Sequence, residues 1–218
     1  MDIRISEEIK TLCPGAELGV LLYSARVEAS SPELLARFDS DTSELGGSYT
    51  LDAIAKMPHI ASTREAYRAL GKSPHEYRNA AEAMLRRLVK GSGLYRINNV
   101  VDVNNLVSVS SGYSIGSYDI SELHGPVALR RAPEDTHYAG IGKDSVNIGF
   151  LPVLYDDEGP FGNPTSDSRR AMIREGSHGI MSVVYSFDGA GGLNEWLPRF
   201  RELLETFCGA SGIETMII

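Results

Sequence analysis

Apolar positions change period several times along the chain, and each change marks an element. Residues 5 to 12 read as a short helix, and the run GVLLYSARV within Leu18 to Val27 reads as a strand. Ser31-Pro32-Glu33 opens a helix toward Phe38, while the polar segment SDTSELGGSY at 40 to 49, with its paired glycines, reads as a loop or a frayed helix end. Ser62 and Glu65 fit a capping box, and Ser73-Pro74-His75-Glu76 fits a second one with proline at the first helical position. Tyr77, Ala80, Ala81, Met84, Leu85 and Leu88 then form an apolar stripe that Gly91 terminates. From Gly93 to Asp119, valines and a leucine at helical spacing alternate with Asn98, Asn99, Asp102, Asn104 and Asn105, followed by a loop of serines, glycines and tyrosines, Ser108 to Ser117. Val127 to Arg131, Gly149 to Tyr155 and Ile180 to Phe187 read as strands. A last helix, Asn194 to Cys208, buries Trp196, Leu197, Phe200, Leu203, Leu204 and Phe207, with Pro198 tolerated near its start, and the terminal ETMII adds an edge strand. Helices and strands intermix without the regular alternation of a doubly wound sheet, so the class is α+β.

Length and composition narrow this picture. The 218 residues are enough to bury a substantial core as one domain, and 1–218 is read as a single unit. No apolar run is long enough to cross a bilayer, and Met1 does not open a basic-then-apolar signal peptide, so a soluble, cytoplasmic chain without a membrane partner is expected. Cys13 and Cys208 lack metal-like spacing, which predicts reduced thiols and no metal site. A net charge of -8 counts against broad, sequence-independent nucleic-acid binding. The charge is uneven, however: Arg64, Arg68, Lys72, Arg78, Arg86, Arg87, Lys90 and Arg96 fall within one short window. Arg78, Arg86, Arg87 and Lys90 then sit opposite the apolar stripe, either as a solvated face balanced by Glu76 and Glu82 or as a phosphate-binding face.

The chemistry is first a matter of exclusion. The chain has no nucleophile elbow, no H-E-x-x-H, no Walker loop and no dinucleotide fingerprint, so no cofactor is expected. His59, His75, His124, His137 and His178 lie in separate segments with no pairing legible between them. What stands out is the helix whose polar side consists of amides and one carboxylate, a set of fixed donors and acceptors suited to recognition. Asn98 and Asn99 also suit a helix cap, and Asp102 a cap or a buried structural carboxylate.

The run NNVVDVNNLV, its glycine-containing loop and Tyr118-Asp119 resemble a signature of the phenylalanyl-tRNA synthetase beta subunit, within the tRNA-binding domain that hydrolyses mischarged tRNA. The likeness spans about residues 60 to 190, continuing through VALRR at 127, LPVLYDDEGPFG at 151 and GIMSVVYSF at 179. Where the family loop ends His-Ala-Phe-Asp, this chain has Gly116-Ser117-Tyr118-Asp119. Where the family's Phe-Gly is followed by glycine and glutamate, it has Phe161-Gly162-Asn163-Pro164. The resemblance implies helices layered around a mixed sheet or sandwich, and a free-standing trans-editing protein whose partner is the aminoacylated 3′ end of a tRNA. It implies Asn105 near the ester. With the oxygen-rich run after Asn163 as a second wall, Asn105, Thr165, Ser166 and Asp167 are the catalytic candidates. Asn98, Asn99, Asp102, Ser111, Tyr113, Phe161, Gly162 and Ser168 are the substrate-binding candidates, and Arg78, Arg86, Arg87, Arg96, Arg169 and Arg170 the tRNA contacts. An aminoacyl ester is already activated, so a site that positions water and stabilises an oxyanion suffices. Two other functions fit the same residues: a non-catalytic tRNA-binding module, or an enzyme or sensor for a free amino acid. Asn98 and Asn99 as caps, and the run at 165 to 168 as a turn, remain open.

Overall fold

Both faces of the longest central strands are apolar, and that decides the layering. In the computed structural model, which describes residues 1–218, strand β2 (Glu17–Val27) directs Leu18 and Val20 to one side and Leu21, Tyr23, Ala25 and Val27 to the other. Strand β9 (Gly176–Ser186) alternates in the same way, with Met181, Val183 and Tyr185 beside Leu18 and Val20 on the inner face of the sheet while Ile180 and Val184 lie on its outer face. A strand buried on both faces reads as a continuous apolar run, which is why its sequence is unmistakable.

These strands belong to an antiparallel sheet ordered β10-β2-β9-β3, with β10 at Ser211–Ile217 and β3 at Ser114–Asp119. Against its inner face packs a mixed sheet, β1-β4-β7-β8, built from Ile3–Ile5, Val127–Arg131, Pro152–Asp156 and Gly159–Gly162. Only the β1 and β4 pairing in it is parallel. Helices α6 (Asn99–Ser111) and α7 (Gly191–Cys208) cover the outer face through Val100, Val103, Val107, Leu193, Leu197, Phe200 and Leu204. A hairpin, β5 (His137–Gly140) with β6 (Lys143–Asn147), stands apart. The expected α+β class with helices layered on a sandwich is the observed architecture.

The helices differ from the sequence reading at their ends. Alpha helix α1 is Glu7–Leu12, and α2 runs Pro32–Ser48, through the segment read as a loop or a frayed helix end. Phe38, Thr42 and Leu45 continue its buried side, and Gly46 lets the helix pack closely on its neighbour, where a Cβ would lie a tight 3.3 Å from the Leu88 carbonyl oxygen. A four-residue helix α3 (Leu51–Ile54) precedes α4 (Pro58–Leu70), which starts at its proline and not at Ser62; the Ser62 hydroxyl bonds back to the His59 carbonyl. Ser73 to Glu76 caps nothing. Helix α5 (Ala80–Val89) begins at Asn79, whose side chain accepts from Glu82 N, while Pro74 lends its carbonyl to Arg64. Ser108 to Ser111 complete α6, Gly112 ends it at φ 85°, and Ser114 onward is strand, so no recognition loop spans 108 to 117. Pro198 lies eight residues into α7, which begins at Gly191, and removes the bond to the Asn194 carbonyl. No helix is long and apolar enough to cross a membrane.

Candidate functional site

Helix α5 carries Ala83, Arg86, Arg87 and Lys90 at i, i+3, i+4 and i+7, hence on one face, with Leu85 and Leu88 buried opposite. That face forms one wall of a cleft of about 460 Å3. Tyr77 and Arg78 extend the wall upstream, and Lys143 and Val146 of β6 and Thr165 and Ser166 close the far side. Its lining has five cations and one carboxylate, Glu76, in a chain of net charge -8. Buried Glu82, expected at the surface, lies beneath this wall and accepts from Arg64 Nη1 at 3.1 and 2.9 Å and from Arg86 Nε at 2.9 Å. Arg86 is thereby held in place on the cleft wall before any ligand arrives.

The opposite wall is a loop organised by the side chain of Asn163. Asn163 Oδ1 accepts from the backbone N–H of Thr165 at 2.7 Å and of Ser166 at 3.1 Å, and its amide donates to the Ser166 carbonyl and to the Tyr138 hydroxyl. Ala80 N donates to the Pro164 carbonyl at 2.8 Å, tying this loop to the first turn of α5. Thr165 Oγ1 is engaged with the Tyr67 hydroxyl at 2.7 Å. Ser166 Oγ is the loop hydroxyl left free of protein partners while lining the cleft.

Asp167 turns inward, away from the cleft lining. Its Oδ1 accepts from the Tyr118 hydroxyl at 2.8 Å and from Asn163 N at 3.1 Å, and Tyr118 in turn bonds the Tyr185 hydroxyl at 2.8 Å. Burial pushes this carboxyl up from an ordinary 3.8 to about 7, against the lowering effect of the two hydrogen bonds. Burial raises the phenols of Tyr118 and Tyr185 as well, so they stay neutral donors. The ring of Tyr118 reaches back over Gly116 and against Gly162, and a Cβ at either glycine would collide with its hydroxyl. At Gly116 the Cβ would also stand 3.1 Å from Asp167 Oδ2. The position where the family has histidine is therefore closed to any side chain by a tyrosine two residues later. Gly116→Ala is expected to lower stability by about 1–3 kcal/mol through overpacking, read as a fall in thermal midpoint. An unchanged midpoint would mean that the Tyr118–Asp167 contact yields freely.

The other sequence-derived candidates lie elsewhere. Asn105 is half-buried on α6 and lines no part of the cleft; its neighbour Asn104 is the amide facing the sheet, donating to Ser117 Oγ at 2.7 Å. The helical repeat points adjacent residues about 100° apart, so only one of the pair faces inward. Asn98 caps α6 through Val101 N, Asn99 clamps Glu28 N and the Arg26 carbonyl, and Asp102 accepts from Ser30 and Ile97 N. Ser111, the last residue of α6, donates from its hydroxyl to the Val107 carbonyl and accepts from Tyr113 N. Tyr113 stacks on His59 at 3.8 Å. Phe161 is core, and Ser168 accepts from Arg170 N. Arg169 braces Gly140 and Lys143, Arg170 is bound to Asp156 at 2.8 Å, and Arg96 pairs with Asp39 over Phe38. Arg78, Arg86, Arg87, Thr165 and Ser166 are thus brought together, and the rest are apart from them.

Sequence reasoning missed Lys143 and Tyr77 as cleft walls. Lys143 is a lone lysine in a hairpin, and nothing local marks its approach to α5. It also missed His59 Nδ1 against Asp188 and His178 Nδ1 against Asp119, each at 2.6 Å. A larger groove of about 550 Å3 between α2, α6 and α7 mixes Arg37 and Arg199 with Asp41 and Glu202 and includes none of the predicted site residues. No group of three His, Cys, Asp or Glu side chains converges as a metal site.

Comparison with known proteins agrees with this architecture. The family model described as "B3/4 domain" matches residues 62–191. The phenylalanine–tRNA ligase beta subunit of Bifidobacterium longum (strain NCC 2705) is 28% identical over 102 residues, covering 47% of this chain and 11% of that protein. The crystal structure of an N-terminal fragment of the phenylalanyl-tRNA synthetase beta subunit from Pyrococcus horikoshii superposes with a TM-score of 0.53 at 11% identity, over 99% of this chain and 53% of the fragment. The chain thus spans only a part of either relative, and the structural likeness establishes the fold. With well over half of its residues matched, this chain belongs to the B3/4 domain family, a module related to the phenylalanyl-tRNA synthetase beta subunit.

Proposed function

We propose that this protein binds the aminoacylated 3′ end of a tRNA in the cleft between α5 and the Asn163–Asp167 loop and hydrolyses the ester of a mischarged one in trans. The observation that carries it is the gathering of Arg78, Arg86, Arg87, Lys90 and Lys143 opposite the free hydroxyl of Ser166, in a chain otherwise acidic. Arginine forks and lysine ammoniums suit phosphodiester oxygens. The relationship to a synthetase subunit supports tRNA as the phosphate-bearing ligand. Hydrolysis needs a water aimed at the ester carbonyl carbon: its oxygen forms the new bond, the bond to the ribose oxygen breaks, and that oxygen takes up a proton. Ser166, which lines the cleft with no protein partner for its hydroxyl, orients the water or the carbonyl in this reading, and Thr165, bonded to Tyr67, anchors the loop beside it.

A second reading is a tRNA-binding module without chemistry. It is favoured by the inward turn of Asp167, the remoteness of Asn105 and the glycine at 116. A deacylation panel of mischarged tRNAs separates the two. The editing reading expects release of free amino acid from at least one of them, abolished by Ser166→Ala without loss of binding. Binding of charged and uncharged tRNA with no release from any would select the module. The double variant Lys90→Gln, Lys143→Gln is expected to weaken tRNA binding and reduce the salt slope by about 0.7–0.9 per lost phosphate contact. An unchanged slope would remove the cleft as the RNA site.

A further inference from the structure

Beside the cleft, the segment after α5 displays its aromatic residue in place of hiding it. Tyr95 is 69% exposed, although its neighbour Leu94 is packed into the helical core and anchors the segment. Gly91 and Gly93 adopt φ of 70° and 62°, the left-handed conformations that turn the chain out of α5. Arg87 then pins the turn, donating from Nε to the Gly93 carbonyl at 3.0 Å and from Nη2 to the Ser92 carbonyl at 3.3 Å. The same guanidinium lies 4.6 Å from the centroid of the Tyr95 ring and lines the cleft. One face of the ring is thus backed by a cleft arginine and the ring is otherwise open to solvent.

We infer that Tyr95 is a stacking platform for an unpaired base of the RNA strand whose phosphates occupy the cleft, an inference that rests on the tRNA-binding reading above. An exposed aromatic ring one guanidinium away from a cationic groove matches the division of labour in single-strand binding, where cations follow the backbone and rings take the bases. A cation on one face of the ring and a base on the other form a three-layer stack that excludes water from both contacts. Stacking of this kind does not read base identity, so the platform holds a strand in register without selecting its sequence. Ile97, 60% exposed two residues on, widens the apolar surface beside the ring.

The test compares the full-length wild-type chain with Tyr95→Ala and Tyr95→Phe against one deacylated tRNA, intact and with its unpaired 3′ nucleotides removed. Tyr95→Ala is expected to weaken binding of intact tRNA about five- to a hundredfold, Tyr95→Phe to bind like wild type, and neither to change affinity for the trimmed tRNA. Equal losses on both tRNAs would overturn the inference, since the ring would then contact the tRNA away from the unpaired 3′ strand assigned to the cleft. Unchanged affinity of Tyr95→Ala for intact tRNA, with Arg87→Gln still weakening it, would overturn the platform and leave the cleft reading intact, assigning the exposed ring to a protein contact instead. No binding of either tRNA by wild type would overturn both.

Discussion

Glu82→Ala is expected to destabilise the fold by about 3–5 kcal/mol, because it leaves a buried arginine without its counter-ion. Arg64 is 7% exposed, and both carboxylate oxygens of Glu82 accept from its Nη1. The Pro74 carbonyl would be its only remaining partner among these contacts. The measurement is the midpoint of urea unfolding, which should fall while the slope is unchanged. Replacing both partners, as in Arg64→Leu with Glu82→Leu, should lose much less than the single change, since an apolar pair of similar volume requires no charge to be desolvated. A Glu82→Ala midpoint near wild type would mean that water reaches Arg64, and the picture of pre-positioned cleft arginines would fail with it. The functional corollary concerns Arg86, which shares Glu82 Oε1 at 2.9 Å and would lose its fixed position on the cleft wall.

Asp167→Asn should stabilise the protein in the alkaline range and not in acid. The sign follows from proton binding. In the folded state the carboxyl holds its proton up to about pH 7, whereas the ordinary value is 3.8, so the folded state binds the proton more tightly. That preference favours folding fully below the lower value, and the benefit is lost as pH rises through the interval to about 7. Above it, the wild type retains a partly desolvated carboxylate, a penalty on the order of 2–4 kcal/mol by the size of the shift. Asparagine keeps an oxygen for the Tyr118 hydroxyl and Asn163 N but has no charge to desolvate. Denaturant unfolding at pH 8, 6 and 4.5 should therefore find the variant ahead at pH 8, with the gap closing as pH falls. A gap independent of pH would mean that Asp167 does not titrate in this range. Because the residue also locks the loop bearing Ser166, the same titration should tighten or loosen one wall of the cleft.

The α+β class and the central elements were readable wherever a residue's own neighbours decide its conformation. The GVLLYSARV run declares a strand buried on both faces, and the amide-rich stretch from Asn98 declares a capped helix. Errors arose where two local signals competed. The pattern Ser73-Pro74-x-Glu76 and the pattern Asn79-x-x-Glu82 both describe a helix start; the second is the one used, and the Pro74 carbonyl accepts from the distant Arg64 instead. Gly46 and Gly47 look like a break, yet α2 continues because Gly46 permits contact with Leu88. The serines and glycines of 108 to 117 look like a loop, yet Gly116 sits in a strand where a Cβ would meet Tyr118.

For the candidate site the division is sharper. The sequence alone determined that α5 carries arginines and a lysine on one face, since helical spacing is a local property, and that residues 163 to 168 concentrate oxygen-bearing side chains. It could not determine which hydroxyl is free, which way Asp167 turns, that Glu82 is buried beneath the arginines, or that Lys143 arrives from a hairpin far along the chain. These depend on contacts between distant segments. Hydrogen bonds from Tyr67, Tyr118 and Arg64 engage some of the polar groups, and what the fold leaves unengaged in the cleft, chiefly Ser166, Lys90 and Lys143, is available to a ligand.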